Sequence, residues 1–261
     1  MVKYLAIYAL LLWAPLVLAE PYIAVMTGHQ CSVCHTNPTG GGKRTEFGNQ
    51  FAQQLAARPL SASPSKWTGT VFDGFSMGGN ARLSARQFES EGRDDKLSFD
   101  VDRVALYLDA RLSEHVSFYL DQQVAPGGAL NREAWALLKW GNTYLKAGKI
   151  FLPFGWRLED DTAFIRKVTG VNFNSGDNGV ELGFTEHQFN LQVAATNGTG
   201  GTPEIDDGKL ISARGEWNYP NWRIGASGLF NNTDLGERKI YGLFAGLKAG
   251  PVSWLAEYDF I

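Results

Sequence analysis

Two thiols and an imidazole stand within five residues of one another at Cys31-Ser32-Val33-Cys34-His35. This is the C-x-x-C-H spacing at which c-type haem is attached to a polypeptide. Cysteines three apart at the start of a helical turn reach the two vinyl groups along one porphyrin edge. The adjoining histidine then lies under the iron as its proximal ligand. Three other readings share part of the pattern. A redox disulfide uses C-x-x-C, but no thioredoxin-like βαβ pattern surrounds this pair. Half of a zinc site has the same spacing, but Cys31 and Cys34 are the only cysteines in the chain, so the second pair is absent. Chance is the third. The distal position on the iron is open to Met26, His29, Met77, His115 or His187, the soft and imidazole donors of the chain. Met26 and His29 stand nearest the motif, and a water-bound or open iron is the remaining option.

The elements that must position this motif are short. The neighbourhood of Pro38 offers a backbone carbonyl to fix the His35 ring through Nδ1. Arg44 to Ala57 reads as a helix, with Phe47, Phe51 and Leu55 recurring at i, i+4 and i+8 as one apolar stripe. A segment of about 45 residues buries too little core to stand alone, and a covalent haem would supply that core. Upstream, residues 1–19 read as a cleaved secretory signal. Lys3 gives the positive start, Leu5 to Leu18 is apolar, and Val17-Leu18-Ala19 places small side chains at the cleavage site. The apolar run is shorter than the roughly 20 residues of a membrane-spanning helix. Export and haem attachment support one another.

Composition bounds the rest. The 261 residues are 44% hydrophobic and carry a net charge of −3, which excludes a disordered chain and argues against a nucleic-acid partner. After the Pro/Ser-rich break at 59–64 the helical spacing gives way to period-2 segments of about ten residues. Val116, Phe118, Leu120 and Val124 alternate with Ser117, Tyr119, Asp121 and Gln123; Phe189, Leu191 and Val193 alternate with Asn190 and Gln192; Leu243, Ala245 and Leu247 alternate with Phe244 and Gly246. A soluble β-sandwich alternates in the same way, so the connections discriminate. Short turns near 113–115, 141–143, 186–188, 219–221 and 249–251 alternate with longer polar stretches at 89–96, 126–131, 153–179, 197–208 and 231–238. That is the rhythm of an outer-membrane barrel with tight periplasmic turns and long outer loops. Trp140, Trp217, Tyr219 and Trp222 fall beside the short turns, where an interfacial girdle belongs.

The expected organisation is therefore a signal at 1–19, a small α-helical c-type haem segment at 20–63 and an antiparallel transmembrane β-barrel at 66–261. Eleven strands are countable from Gly79–Phe88 to Val252–Phe260, both running outward, whereas closed bacterial barrels have even counts. Either residues 67–77 form a further strand or the chain stops before closure; the expectation is a fragment. The loops at 89–95, 159–161 and 204–207 carry the acidic clusters Glu89, Glu91, Asp94, Asp95; Glu159, Asp160, Asp161; and Glu204, Asp206, Asp207. Such carboxylates either gather hard cations or are simply solvated.

Two stretches carry resemblances. Lys146-Ala147-Gly148-Lys149-Ile150-Phe151-Leu152-Pro153-Phe154-Gly155, with Gly179–Phe184 and Ala194–Gly198, resembles the phosphate-selective O/P-type porins. Thr27-Gly28, Cys31, Cys34-His35, Pro38, Phe47-Gly48 and Phe51 are similar to the fused monohaem cytochrome–porins of iron-oxidising bacteria. That resemblance implies a sixteen-stranded barrel plugged by the cytochrome segment, with one haem c anchored by Cys31 and Cys34 and ligated by His35. It implies an outer-membrane location and electron uptake from an extracellular donor, ferrous iron first, for delivery to a periplasmic cytochrome or other carrier. The chain departs from the family in the insertion Thr39-Gly40-Gly41-Gly42-Lys43-Arg44, which puts the substrate in question, and in its length. Two other functions remain: an anion porin with a haem-bearing plug or redox gate, and outward electron delivery. An anion porin would line its lumen with bases drawn from Arg82, Arg86, Arg103, Arg111, Lys146, Lys149, Arg214 and Arg223, whose parity places them on both faces.

Overall fold

A computed structural model describes residues 21–56, 68–88, 96–158, 163–171, 174–204, 206–234 and 236–261. The signal at 1–19 and the break at 59–64 lie outside them. Three helices come first: α1 (Pro21–Thr27), the single turn α2 (Cys31–Cys34) and α3 (Glu46–Ala56). A twelve-stranded antiparallel meander follows, each strand pairing with its neighbours in sequence. Its strands are β1 (Thr70–Phe72), β2 (Phe75–Phe88), β3 (Lys96–Arg111), β4 (Val116–Ala125), β5 (Leu130–Trp140) and β6 (Thr143–Ile150). After the short helix α4 (Phe164–Thr169) come β7 (Asp177–Glu186), β8 (Phe189–Thr196), β9 (Leu210–Tyr219), β10 (Trp222–Thr233), β11 (Gly236–Ala249) and β12 (Val252–Phe260). Residues 67–77 thus contribute the further strand β1, and β2 begins four residues earlier than the alternation suggests. Among the described residues β1 and β12 form the two edges and do not pair with each other.

The five short turns fall where the sequence places them, between β3–β4, β5–β6, β7–β8, β9–β10 and β11–β12. One long connection is corrected. The stretch 231–238 is mostly strand, because Asn231, Asn232 and Thr233 continue the ladder against Arg238, Glu237 and Gly236. Polar residues do not end a strand whose side chains meet water.

The sheet is inverted relative to a soluble protein. Its outer face shows Leu182, Ile224, Leu243 and Tyr241 at 50–61% exposure. Asp121, Glu133, Lys146 and Glu181 on the inner face are fully covered. A soluble sandwich buries its apolar stripe between two sheets; here that stripe faces outward and the polar stripe is buried. Inside, Lys146 pairs with Glu181 at 3.0 Å, and Glu216 bridges Arg214 at 2.7 Å and Arg223 at 2.5 Å. Of the bases considered for an anion path, these three and Arg103 point inward, whereas Arg86 and Arg111 are exposed. A β-bulge at Arg132 breaks the alternation. Asp121 pairs with Glu133 but Gln122 pairs with Asn131, so Arg132 and Glu133 are both fully buried although adjacent.

Two segments fill the concave face. The helical segment enters it near the short turns, with α1 against β9–β12 and α3 against α2. The β6–β7 connection, expected as an outer loop, instead turns inward over residues 151–158. Its apolar content explains this correction. Phe151, Phe154 and Trp156 are 3–7% exposed, and Phe154 joins Val171, Leu210, Leu229 and Ile240 in one cluster. Loops full of aromatic side chains lose too much by standing in water.

Candidate functional site

The C-x-x-C-H turn is held close to the short-turn end of the sheet. Asn218 Nδ2 donates to the carbonyls of Gly28 at 3.3 Å and His29 at 2.8 Å, and Gln30 Nε2 donates to the His187 carbonyl. Gly28 has φ +71° and sits so close to Pro220 that a Cβ would meet its backbone nitrogen at 3.0 Å. The motif itself closes as one turn, His35 N–H donating to the Cys31 carbonyl at 2.9 Å. Thr45 N–H donates to the Cys34 carbonyl at 3.0 Å, and Thr45 Oγ1 to the Val33 carbonyl at 2.8 Å, which ties α3 to the motif.

Helix α3 lies directly on Cys34 because Gly48 permits it. A Cβ at Gly48 would overlap the Cys34 carbonyl, a backbone atom with nowhere to go. Gly48→Ala is expected to push α3 off the turn at a cost of roughly 1–3 kcal/mol, read as a lower denaturant midpoint for the plug. The stripe expected on α3 is present as Phe47 and Phe51, stacked at 5.9 Å, and both meet the His29 ring edge-on at 5.6 and 6.4 Å. The side chain of Leu55 lies outside the described residues.

The loop 39–44, the point of departure from the resembled family, is what encloses the histidine. Gly40, Gly41 and Gly42 all have positive φ, at +89°, +73° and +60°. Gly40 passes 3.1 Å (as an added Cβ) from Cys31 Cβ, Gly41 passes Arg157, and Gly42 leaves no room beyond the Tyr119 hydroxyl. Glycine adopts these angles without steric cost. The backbone of Gly41 and Gly42, rather than the neighbourhood of Pro38, approaches the His35 ring, whose Nδ1 is covered and makes no hydrogen bond. Burial, with the positive charges of Arg44 and Arg157 beside it, lowers the pKa of His35 to about 4. The imidazole is therefore neutral near pH 7, with a lone pair to give. Burial and the neighbouring Cys31 push the Cys34 thiol up, against the pull of Arg44. Both cysteines are free thiols.

A cavity open to solvent runs beside this turn. Cys31, Cys34, His35 and His29 line it from the plug, and the inward loop 151–158 lines it from the opposite side. The donors converge as a covalent porphyrin site requires: two free thiols one helical turn apart, and a neutral imidazole next to the second. Of the five other donors considered, His29 shares the cavity. Met26 is 37% exposed and outside the lining, Met77 lies on β2, and His115 and His187 occupy short turns. Sequence reasoning missed the loop 151–158 and the residues Arg44, Arg157 and Arg166 as cavity walls. The run Phe151, Phe154 and Trp156 was the available signal, since aromatic residues in a supposed outer loop announce burial.

The plug is pinned to the sheet by buried polar contacts. Asn37 Nδ2 donates to both Glu133 oxygens at 3.1 and 2.9 Å, and Lys146 Nζ donates to Asn37 Oδ1 at 3.1 Å. Arg157 bonds Glu133 at 2.9 Å and Thr39 Oγ1 at 2.7 Å, and the Tyr119 hydroxyl accepts from Lys43 N–H at 3.0 Å. The third acidic cluster is committed locally. Glu204 pairs with Lys209 at 3.0 Å, and Asp206 accepts from Gly208 N–H at 2.8 Å. The other two clusters lie outside the described residues.

No protein-family model matches this sequence, and no curated protein matches it. Solved structures of OmpT, an outer-membrane protein of Vibrio cholerae, are similar in part. One, expressed in the outer membrane, aligns at 11% identity and a TM-score of 0.47, covering 73% of this chain and 65% of that one. A trimeric, in-vitro folded form aligns at 12% identity and a TM-score of 0.38, covering 72% and 77%. This chain thus spans slightly under two thirds of the length of the first.

Proposed function

We propose that this chain is an outer-membrane electron-transfer protein, a lipid-facing β-sheet barrel with one covalent haem c in its lumen. It passes electrons from an extracellular donor, ferrous iron first, to a periplasmic carrier. The observation that carries the reading is the convergence of Cys31, Cys34 and His35 on one cavity between the plug and the inward loop. Thioether formation balances without a further reagent: each thiol adds across one vinyl double bond, sulfur to one carbon and hydrogen to the other. When bound, the group supplies reversible one-electron redox chemistry.

The chain's own residues do the remaining work. Cys31 and Cys34 anchor, and neutral His35 ligates. The loop 39–44 and Trp156 restrict water at the site, and Asn218 and Gln30 hold the motif at the short-turn end. A periplasmic partner approaches there, the short turns lying on that side as they do in outer-membrane barrels. The location is supported by the outward apolar face and by the exposed Trp217, Tyr219 and Trp222 beside the short turns. Leu243, in the middle of β11 and 61% exposed, gives a direct check. Leu243→Arg is expected to cost about 2–4 kcal/mol in lipid, measured as a lower urea midpoint in phospholipid vesicles.

The pinned plug and the inward loop favour this reading over a diffusion porin, because both occupy the lumen. The test is to reconstitute the purified chain, add ferrous iron anaerobically and follow the haem absorbance while recording single-channel current. Reduction with no ion current is the expected result. An anion current with a haem inert to iron would replace the reading by a porin, and reduction only from periplasmic carriers would reverse the direction.

A further inference from the structure

Five arginines line the cavity, Arg44, Arg157, Arg166, Arg214 and Arg223, and among the described residues no acidic residue does. Carboxylates behind the wall offset part of this charge. Arg157 is paired with Glu133 and Arg166 with Glu257. Arg214 and Arg223 share a single carboxylate, Glu216, so that trio carries one net positive charge. Arg223 Nη2, which also bonds Glu216, reaches Cys31 Sγ at 3.7 Å. Arg44 makes no ion pair among the described residues, yet it stands beside both Cys34 and His35 and shifts their protonation. Among the described residues two guanidinium charges are therefore left uncompensated at one cavity, Arg44 beside Cys34 and His35 and the Arg214–Arg223 pair beside Cys31. Uncompensated charge in a partly enclosed wall is costly unless an anion meets it. Planar guanidinium is suited to carboxylate, which it binds by two parallel hydrogen bonds.

We infer that these two charges receive the two propionate carboxylates of a porphyrin, Arg44 holding one and the Arg214–Arg223 pair the other. The inference rests on the haem reading above and adds to it which residues orient the macrocycle and set its potential. Arg44 and Arg214 are positioning residues. Cationic charge beside the iron favours the reduced state, which carries one positive charge fewer, so removing a guanidinium lowers the midpoint potential. The same chemistry would also attract free inorganic anions, and the two sources are separable.

The experiment is a redox titration of the full haem-loaded chain in lipid, followed by haem absorbance, with intact mass recorded for each sample. Arg44→Gln and Arg214→Gln are each expected to favour the oxidised form at least about tenfold at a fixed applied potential, ~59 mV. Arg44→Lys, which keeps the charge, is expected to restore most of the shift, and Lys239→Gln, an exposed control on β11, to cause none. Arg44 is only partly covered and has no ion pair among the described residues, so its variant is expected to fold. Unchanged potentials in both glutamine variants, with mass and colour intact, would overturn the inference and leave the haem reading standing. A potential in the wild type that moves on adding inorganic phosphate would overturn it in favour of a free-anion site. A colourless wild-type chain of unmodified mass would remove the haem reading itself, and this inference with it.

Discussion

Replacing Cys31 and Cys34 together by serine is expected to give a colourless chain whose mass is that of the processed polypeptide alone. It should still insert into lipid vesicles with its strand content unchanged. The physical argument separates the two parts of the molecule. Twelve strands hold one another through a continuous ladder that owes nothing to the thiols, whereas α1, α2 and α3 are 7, 4 and 11 residues long and bury little of their own. Helices that short are marginal without tertiary support. The buried anchor of α1 is Val25, packed on Trp156 and Phe244. Loss of the macrocycle should therefore leave the plug cleavable by added protease while the sheet resists. Single variants keep one sulfur and should retain colour at lower yield. A double variant that keeps both colour and added mass would show that the thiols are not the attachment points.

Glu133→Ala should loosen the plug from the sheet and open an ion path that the wild type lacks. Glu133 is fully buried and receives Asn37 Nδ2, Arg157 and, at 3.4 Å, the Phe151 N–H. One carboxylate thus joins the plug, the inward loop and β5. Removing it takes the Glu133 carboxylate from the Arg157 guanidinium, at a cost of about 3–5 kcal/mol for a broken buried pair. The plug and the loop should then move apart from the wall. Discrete conductance steps in planar bilayers are the expected readout, absent from the wild type. Glu133→Gln, which keeps the acceptor for Asn37 but loses the charge, should conduct less often. A silent Glu133→Ala channel, or a wild type that conducts equally, would show that this contact does not close the lumen.

Several features were legible in the chain because they are local. The alternation of Phe118 and Leu120 with Tyr119 and Asp121 fixes which side chains share a face, since strand geometry has period two. The short turns could be placed because they interrupt that period at regular intervals. The stripe Phe47 and Phe51 marks α3 through its four-residue spacing. Other features were not legible, and each for a physical reason. Arg132 and Glu133 both point inward because of a bulge, which depends on the partner strand rather than on either residue. Gly48 reads as a weak helix residue and becomes necessary only because the Cys34 carbonyl lies against it. The loop 39–44 reads as an irregular insertion, yet its three left-handed glycines carry the backbone between Cys31, Arg157 and Tyr119.

By itself the sequence determined the chemistry-bearing unit, two thiols and an imidazole at fixed spacing, and which side chains of a regular strand share a face. Both follow from neighbours a few residues apart. Only the tertiary structure decided what stands across from that unit: the inward turn of residues 151–158, the choice of Glu133 as a lock, and the five arginines around one cavity. Those contacts join residues up to 192 positions apart, as Cys31 and Arg223 are. Local pattern carries no record of such separations, because a strand's own period says which face a side chain takes and nothing about what fills the space beyond it.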